Sequence, residues 1–71
     1  MVDAQLIDRA RTALSRSPHL GRKQLKLQAR QGRLTLEGVV DSYYQKQMAQ
    51  ETLRKIDGVE AVENLLEVHW E

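Results

Sequence analysis

This chain of 71 residues has no cysteine, no phenylalanine and one proline. The missing cysteine excludes disulfide staples and leaves the redox compartment unread. Histidine is scarce: His19 and His69 are the two present. Neither has a second ligand at metal spacing, so no metal-binding residue is expected. Aromatic residues make up 4% of the chain, namely Tyr43, Tyr44 and Trp70. No run approaches the roughly 20 apolar residues that a membrane-spanning helix needs. The start, Met1-Val2-Asp3-Ala4-Gln5, lacks the basic opening and apolar core of an export signal. The parts of a catalytic centre are missing as well, because a nucleophile needs an adjacent base held by a third group. Ser15, Ser17 and Ser42 read as turn or capping residues, and Gly32 is not followed by the helix start that a phosphate loop requires. The sequence therefore predicts no catalytic residue, no cofactor and no enzyme.

What is present is organised by charge and by periodicity. The net charge is +1, but its distribution is uneven. From Arg9 to Leu36 there are eight basic residues and no acidic one, whereas Glu37 to Glu71 holds eight acidic residues against Lys46, Arg54 and Lys55. Such polarity draws anions to one side of a folded molecule. The length fits one domain, residues 1–71, that buries only about 60% of its unfolded surface.

Apolar positions at Leu6, Ile7, Ala10, Ala13 and Leu14 predict a first helix from Asp3 to Arg16. Asp3 serves as its cap, and Ser17-Pro18 ends it. His19-Leu20-Gly21 then turns the chain, with Leu20 as anchor. From Gln24 to Arg30, and again from Arg33 to Val40, apolar and polar residues alternate with the period of a half-buried strand. Gln31-Gly32 joins the two strands as a tight hairpin. Gly38 stands where a core side chain is expected, which suggests a close helix approach or a bulge. Ser42 with Gln45 forms a capping box for a second helix from Tyr43 to Ile56, with Tyr44, Met48, Ala49, Thr52, Leu53 and Ile56 on its apolar face. Gly58 can adopt the left-handed conformation that ends the helix. A third strand runs from Glu60 to Trp70, with Val62, Leu66, Val68 and Trp70 on one face and Asn64 interrupting it. The fold class is α+β: an αββαβ chain with two helices on one face of a three-stranded mixed sheet, the third strand expected beside the second, with placement beside the first as an alternative that the sequence does not decide.

Two strings in this framework are specific in their order and spacing. The first is Gly32, Leu34, Leu36, Gly38 and Val40, and the second is Gly58-Val59, Val62, Asn64, Leu66 and Val68. Together with the proline-terminated first helix they resemble the BON domain, named for bacterial osmotically inducible and nodulation proteins. The resemblance covers about Leu6 to Val68. It implies an αββαβ fold without known enzymatic activity. It also implies a periplasmic or envelope setting, with phospholipid binding or protein assembly as the role.

The outer sheet face is the candidate binding surface. Alternation points Lys26, Gln28, Arg30, Arg33 and Thr35 away from the helices, together with Glu37 and Val39. A basic stripe suits anionic lipid head groups, at about 1 kcal/mol per nearby cation. Nucleic acid is the weaker fit, since the stripe offers no aromatic on which bases stack. Val39, Ala61 and Leu65 form a small apolar patch if the register brings them together. Tyr43, at the start of the second helix and off its apolar face, is a further contact candidate. Asn64 reads as structural, because an amide in an apolar stripe needs a partner, and a nearby loop or helix end is the expected one. The expected partner is an anionic phospholipid surface, reached through Lys26, Arg30 and Arg33. The alternative is a protein partner or a second copy, met through the open sheet at Val39 and Leu65, with a monomer or weak homo-oligomer as the resting state.

Overall fold

The computed structural model describes residues 3–18, 20 and 24–69. Helix α1 (Ala4–Ser15) is followed by strands β1 (Lys26–Arg30) and β2 (Arg33–Val40), helix α2 (Tyr43–Arg54) and strand β3 (Ala61–Val68). The strand order is β1-β2-β3. β1 and β2 are antiparallel, and β2 and β3 are parallel, so the sheet is mixed as the sequence predicts. Two helices on one sheet face let every apolar stripe reach a common core. That core joins Leu6, Ala10 and Leu14 of α1, Leu27 and Ala29 of β1, and Leu34, Leu36 and Val40 of β2. Ala49 and Leu53 of α2, Leu66 of β3 and the loop anchor Leu20 complete it.

Local chemistry sets the element ends. The Asp3 carboxylate accepts from the Leu6 amide at 3.0 Å, and the Asp3 amide donates to the Ala29 carbonyl at 3.0 Å. One residue therefore caps α1 and ties it to the outer edge of β1. The hairpin turns at Gln31 and Gly32, both with positive φ (52° and 80°). Positive φ at both central residues is the twist-matched turn that two-residue hairpins prefer. The Gly32 carbonyl then accepts from the amides of Glu60 (2.7 Å) and Ala61 (3.4 Å), which stitches the turn to the start of β3.

Several expectations are corrected. β1 begins at Lys26 rather than Gln24, and the segment just before it explains Gly38. Gly38 has φ 148°, and a Cβ there would stand 2.7 Å from Leu25 Cδ2 and 3.2 Å from the Gln24 carbonyl oxygen. The close approach comes from the Gln24–Leu25 backbone and the Leu25 side chain, not from a helix. Tyr44 is not in the core: it is 59% exposed. At about 100° per residue, it points roughly 120° away from the mean direction of Met48, Ala49 and Leu53, which carry the buried face of α2. The capping box is also displaced by one residue. Gln45 N donates to Ser42 Oγ at 3.2 Å, but the Gln45 side chain accepts from the amide of Asp41 at 2.7 Å, not from that of Ser42. α2 ends at Arg54 with Lys55 as cap, so Gly58 (φ 94°) does not end the helix. It closes the following turn, in which Val59 N donates to the Ile56 carbonyl at 3.2 Å. β3 ends at Val68. The expectations for His19, Gly21 and Trp70 lie outside the described residues.

Candidate interaction surface

The ladder register fixes who neighbours whom on the open face. Arg30 lies opposite Arg33, Gln28 opposite Thr35, and Lys26 opposite Glu37 across β1 and β2. Arg33 lies beside Ala61, Thr35 beside Glu63, Glu37 beside Leu65, and Val39 beside Glu67 across β2 and β3. Side chains alternate between faces along a strand. Ala61, Glu63, Leu65 and Glu67 therefore share the open face with Lys26, Arg30 and Arg33.

The face is not a uniform basic stripe. Arg30 and Arg33 stand in the corner at the hairpin turn, whereas Lys26 lies at the other end of β1, in one row with Glu37 and Leu65. Glu37 and Glu67 define an acidic corner toward the ends of β2 and β3, and Glu63 lies between the two corners, beside Thr35. His69 Nε2 lies 3.7 Å from Glu67 Oε2 at that far edge. Val39 and Leu65 are 48% and 46% exposed and sit one ladder step apart, within the acidic corner. Ala61 belongs to the Arg33 row and is separated from them by Glu63, so it does not join an apolar patch with them. Tyr43 is 66% exposed but lies in the helical layer, at the sheet end opposite the hairpin turn. The structure thus brings together Arg30 and Arg33, and separately Val39 and Leu65, while Lys26 stands opposite Glu37 at the other end of β1 and Tyr43 stands apart.

The grouping of carboxylates around Leu65 is the feature that sequence reasoning missed. Glu63 and Glu67 carry the parity of Leu65 in the chain, and that parity was the available signal. Their neighbours depend on a parallel register that no tight turn dictates.

Behind β1, α1 forms a second feature. A groove of ≈ 430 Å³ runs between them, with Leu14, Leu20, Leu25 and Leu27 among its walls and Arg11 and Lys26 at its rim. Arg9, on the same helix, reaches the Asp57 carbonyl at 3.5 Å through Nη1. Among the described residues no three His, Asp or Glu side chains converge as a metal site.

The motif residues serve the scaffold that holds this surface. The Asn64 Nδ2 donates to the Lys46 carbonyl at 2.8 Å and to Gln50 Oε1 at 3.4 Å. Its Oδ1 accepts from the Leu66 amide at 3.2 Å. The partner is the body of α2, not a loop or helix end, and the amide fastens α2 to β3. Gly32 is constrained by φ 80° and by Glu60, whose Cγ would stand 3.0 Å from a Cβ there.

No curated protein matches the chain. The family model of the BON domain, generally a non-enzymatic module, matches residues 2–69. That span takes in every element of the αββαβ order. With both glycine strings and the Asn64 bridge in place, the chain belongs to the BON domain family.

Proposed function

We propose that this chain is a non-catalytic interaction module that binds anionic phospholipid surfaces along its α1–β1 edge. The observation that carries this reading is the cluster of cations around β1. Lys26 and Arg30 project from β1 itself, Arg33 faces Arg30 across the hairpin, and Arg11 rims the groove behind. The groove adds leucine side chains beside those charges, which suits the boundary between head groups and acyl chains. The carboxylates Glu63 and Glu67 lie on the opposite strand, so an anionic surface meets the domain edge-on rather than flat against the sheet. At about 1 kcal/mol per cation, the four contribute about 4 kcal/mol at low ionic strength. Attraction of this kind fades as salt shortens the screening length.

Co-sedimentation with vesicles tests it. Vesicles containing phosphatidylglycerol should bind the protein, neutral phosphatidylcholine vesicles should not, and added salt should release it. Lys26→Glu with Arg30→Glu should abolish binding while the circular dichroism spectrum stays unchanged. If the wild type ignores phosphatidylglycerol vesicles even at low salt, the lipid reading is wrong.

A further inference from the structure

The open sheet face carries a conflict that the single chain does not resolve. Arg30 and Arg33 stand directly opposite each other across the hairpin, both exposed, and no carboxylate among the described residues pairs with either. Like charges in directly opposed ladder positions destabilise a sheet. A local rule broken without compensation in the chain marks a place where something outside the chain supplies it.

The same face holds what these arginines need. In the far corner Leu65 and Val39 are exposed, with Glu37 and Glu67 beside them on the ladder, Glu63 one row nearer the arginines, and Lys26 on the outer side of Glu37. An apolar centre ringed by carboxylates matches an arginine along its whole length: the aliphatic stem lies on Leu65 and Val39, and the guanidinium reaches the carboxylates. Each copy of the chain thus presents one arginine corner and one acidic corner on a single surface.

We propose that the open face binds a second copy of this chain, the Arg30–Arg33 corner of each seated on the Leu65–Val39 corner of the other. A two-fold axis lying between two such faces exchanges the corners, so both contacts form at once and the pair closes. The charge complementarity of the face with itself selects this occupant. A basic partner would satisfy only the acidic corner, and an acidic partner only the arginines. This goes beyond lipid binding and draws on cations that lipid binding also uses, so a closed pair presents fewer of them to a membrane.

The test is sedimentation equilibrium over a concentration series at low salt, with the full chain. The wild type should pass from monomer to dimer, and salt should shift the transition to higher concentration. Glu63→Lys with Glu67→Lys should weaken pairing by roughly tenfold or more, because like charges then face each other across the contact. Arg30→Glu with Arg33→Glu should do the same. An equimolar mixture of the two variants should restore the dimer, since each then offers what the other lacks. Circular dichroism melts identify any variant that fails to fold, and the salt series on the wild type needs no variant. A wild type monomeric throughout, a mixture that stays monomeric, or growth into open chains overturns the proposal. The Glu63→Lys, Glu67→Lys variant should still bind phosphatidylglycerol vesicles, so failure of pairing and failure of lipid binding are read separately.

Discussion

Replacing Gly38 by alanine should unfold this domain more readily than most surface changes, for two separable reasons. The first is backbone strain: φ at Gly38 is 148°, where a side chain is rarely accommodated. Holding a non-glycine residue in such a region costs about 1–3 kcal/mol. The second is contact, since the new methyl would stand 2.7 Å from Leu25 Cδ2 and 3.2 Å from the Gln24 carbonyl. Leu25 Cδ2 is the far end of a flexible side chain and can move, so this part is nearer the lower end of the roughly 1–3 kcal/mol for overpacking. The sum is about 2–4 kcal/mol. At roughly 0.05–0.15 kcal/mol per residue, a chain of 71 residues is stable by about 4–11 kcal/mol, so the substitution removes a large share. Urea denaturation monitored by circular dichroism reads the change directly. A double-mutant cycle with Leu25→Ala divides it: the contact part, about 1 kcal/mol, should vanish in the double mutant, and the strain part should persist. A Gly38→Ala variant within about 0.5 kcal/mol of wild type, which is the range of an unremarkable surface change, would refute both arguments. Full recovery in the double mutant would refute the strain argument alone.

Two further changes probe the scaffold. Asn64→Ala removes the bonds to the Lys46 carbonyl and the Leu66 amide and should lower stability by about 1–3 kcal/mol, with faster exchange of the Leu66 amide hydrogen by NMR. An unchanged exchange rate there would show that Asn64 Oδ1 does not hold that amide. Gln31→Gly relieves the positive φ of 52° that glutamine carries in the hairpin turn, which costs about 1–2 kcal/mol, against about 0.4–1 kcal/mol for the entropy glycine adds to the unfolded chain, so stability should rise by about 1 kcal/mol at most. A melting temperature below that of the wild type would mean that entropy outweighs strain at this turn.

Most of the fold was legible because its signals are local. Asp3 and Ser42 cap the helices from within their own first turns, and Gln31-Gly32 fixes the β1–β2 register by turn geometry alone. The parallel register of β2 and β3 is different. It is set by how α2 packs between Val40 and Ala61, and no short stretch of sequence encodes it. The surface was accordingly half legible: alternation along the hairpin exposed Lys26, Arg30 and Arg33, but the carboxylates that divide the face came with β3. Tyr44 escaped for a different reason. Its i, i+4 spacing to Met48 lets it pass as part of the apolar stripe of α2, although it points away from Ala49 and Leu53, the two residues that the helix buries.

The Asn64 bridge has a bearing on solubility. The amides of Ala61 and His69 donate to the carbonyls of Gly32, just before β2, and Val40, at its end, so the odd-numbered amides of β3 face inward and the even-numbered ones face the sheet's free edge. A foreign strand adding to that edge would need Val62, Asn64, Leu66 and Val68 in unbroken alternation. The amide of Leu66 is already taken by Asn64 Oδ1, and the Asn64 side chain lies bridged to α2 alongside it. The rung pattern is interrupted near the middle of the strand, and a polar residue in an otherwise apolar stripe thereby guards the longest exposed edge of the sheet against fibril-like growth.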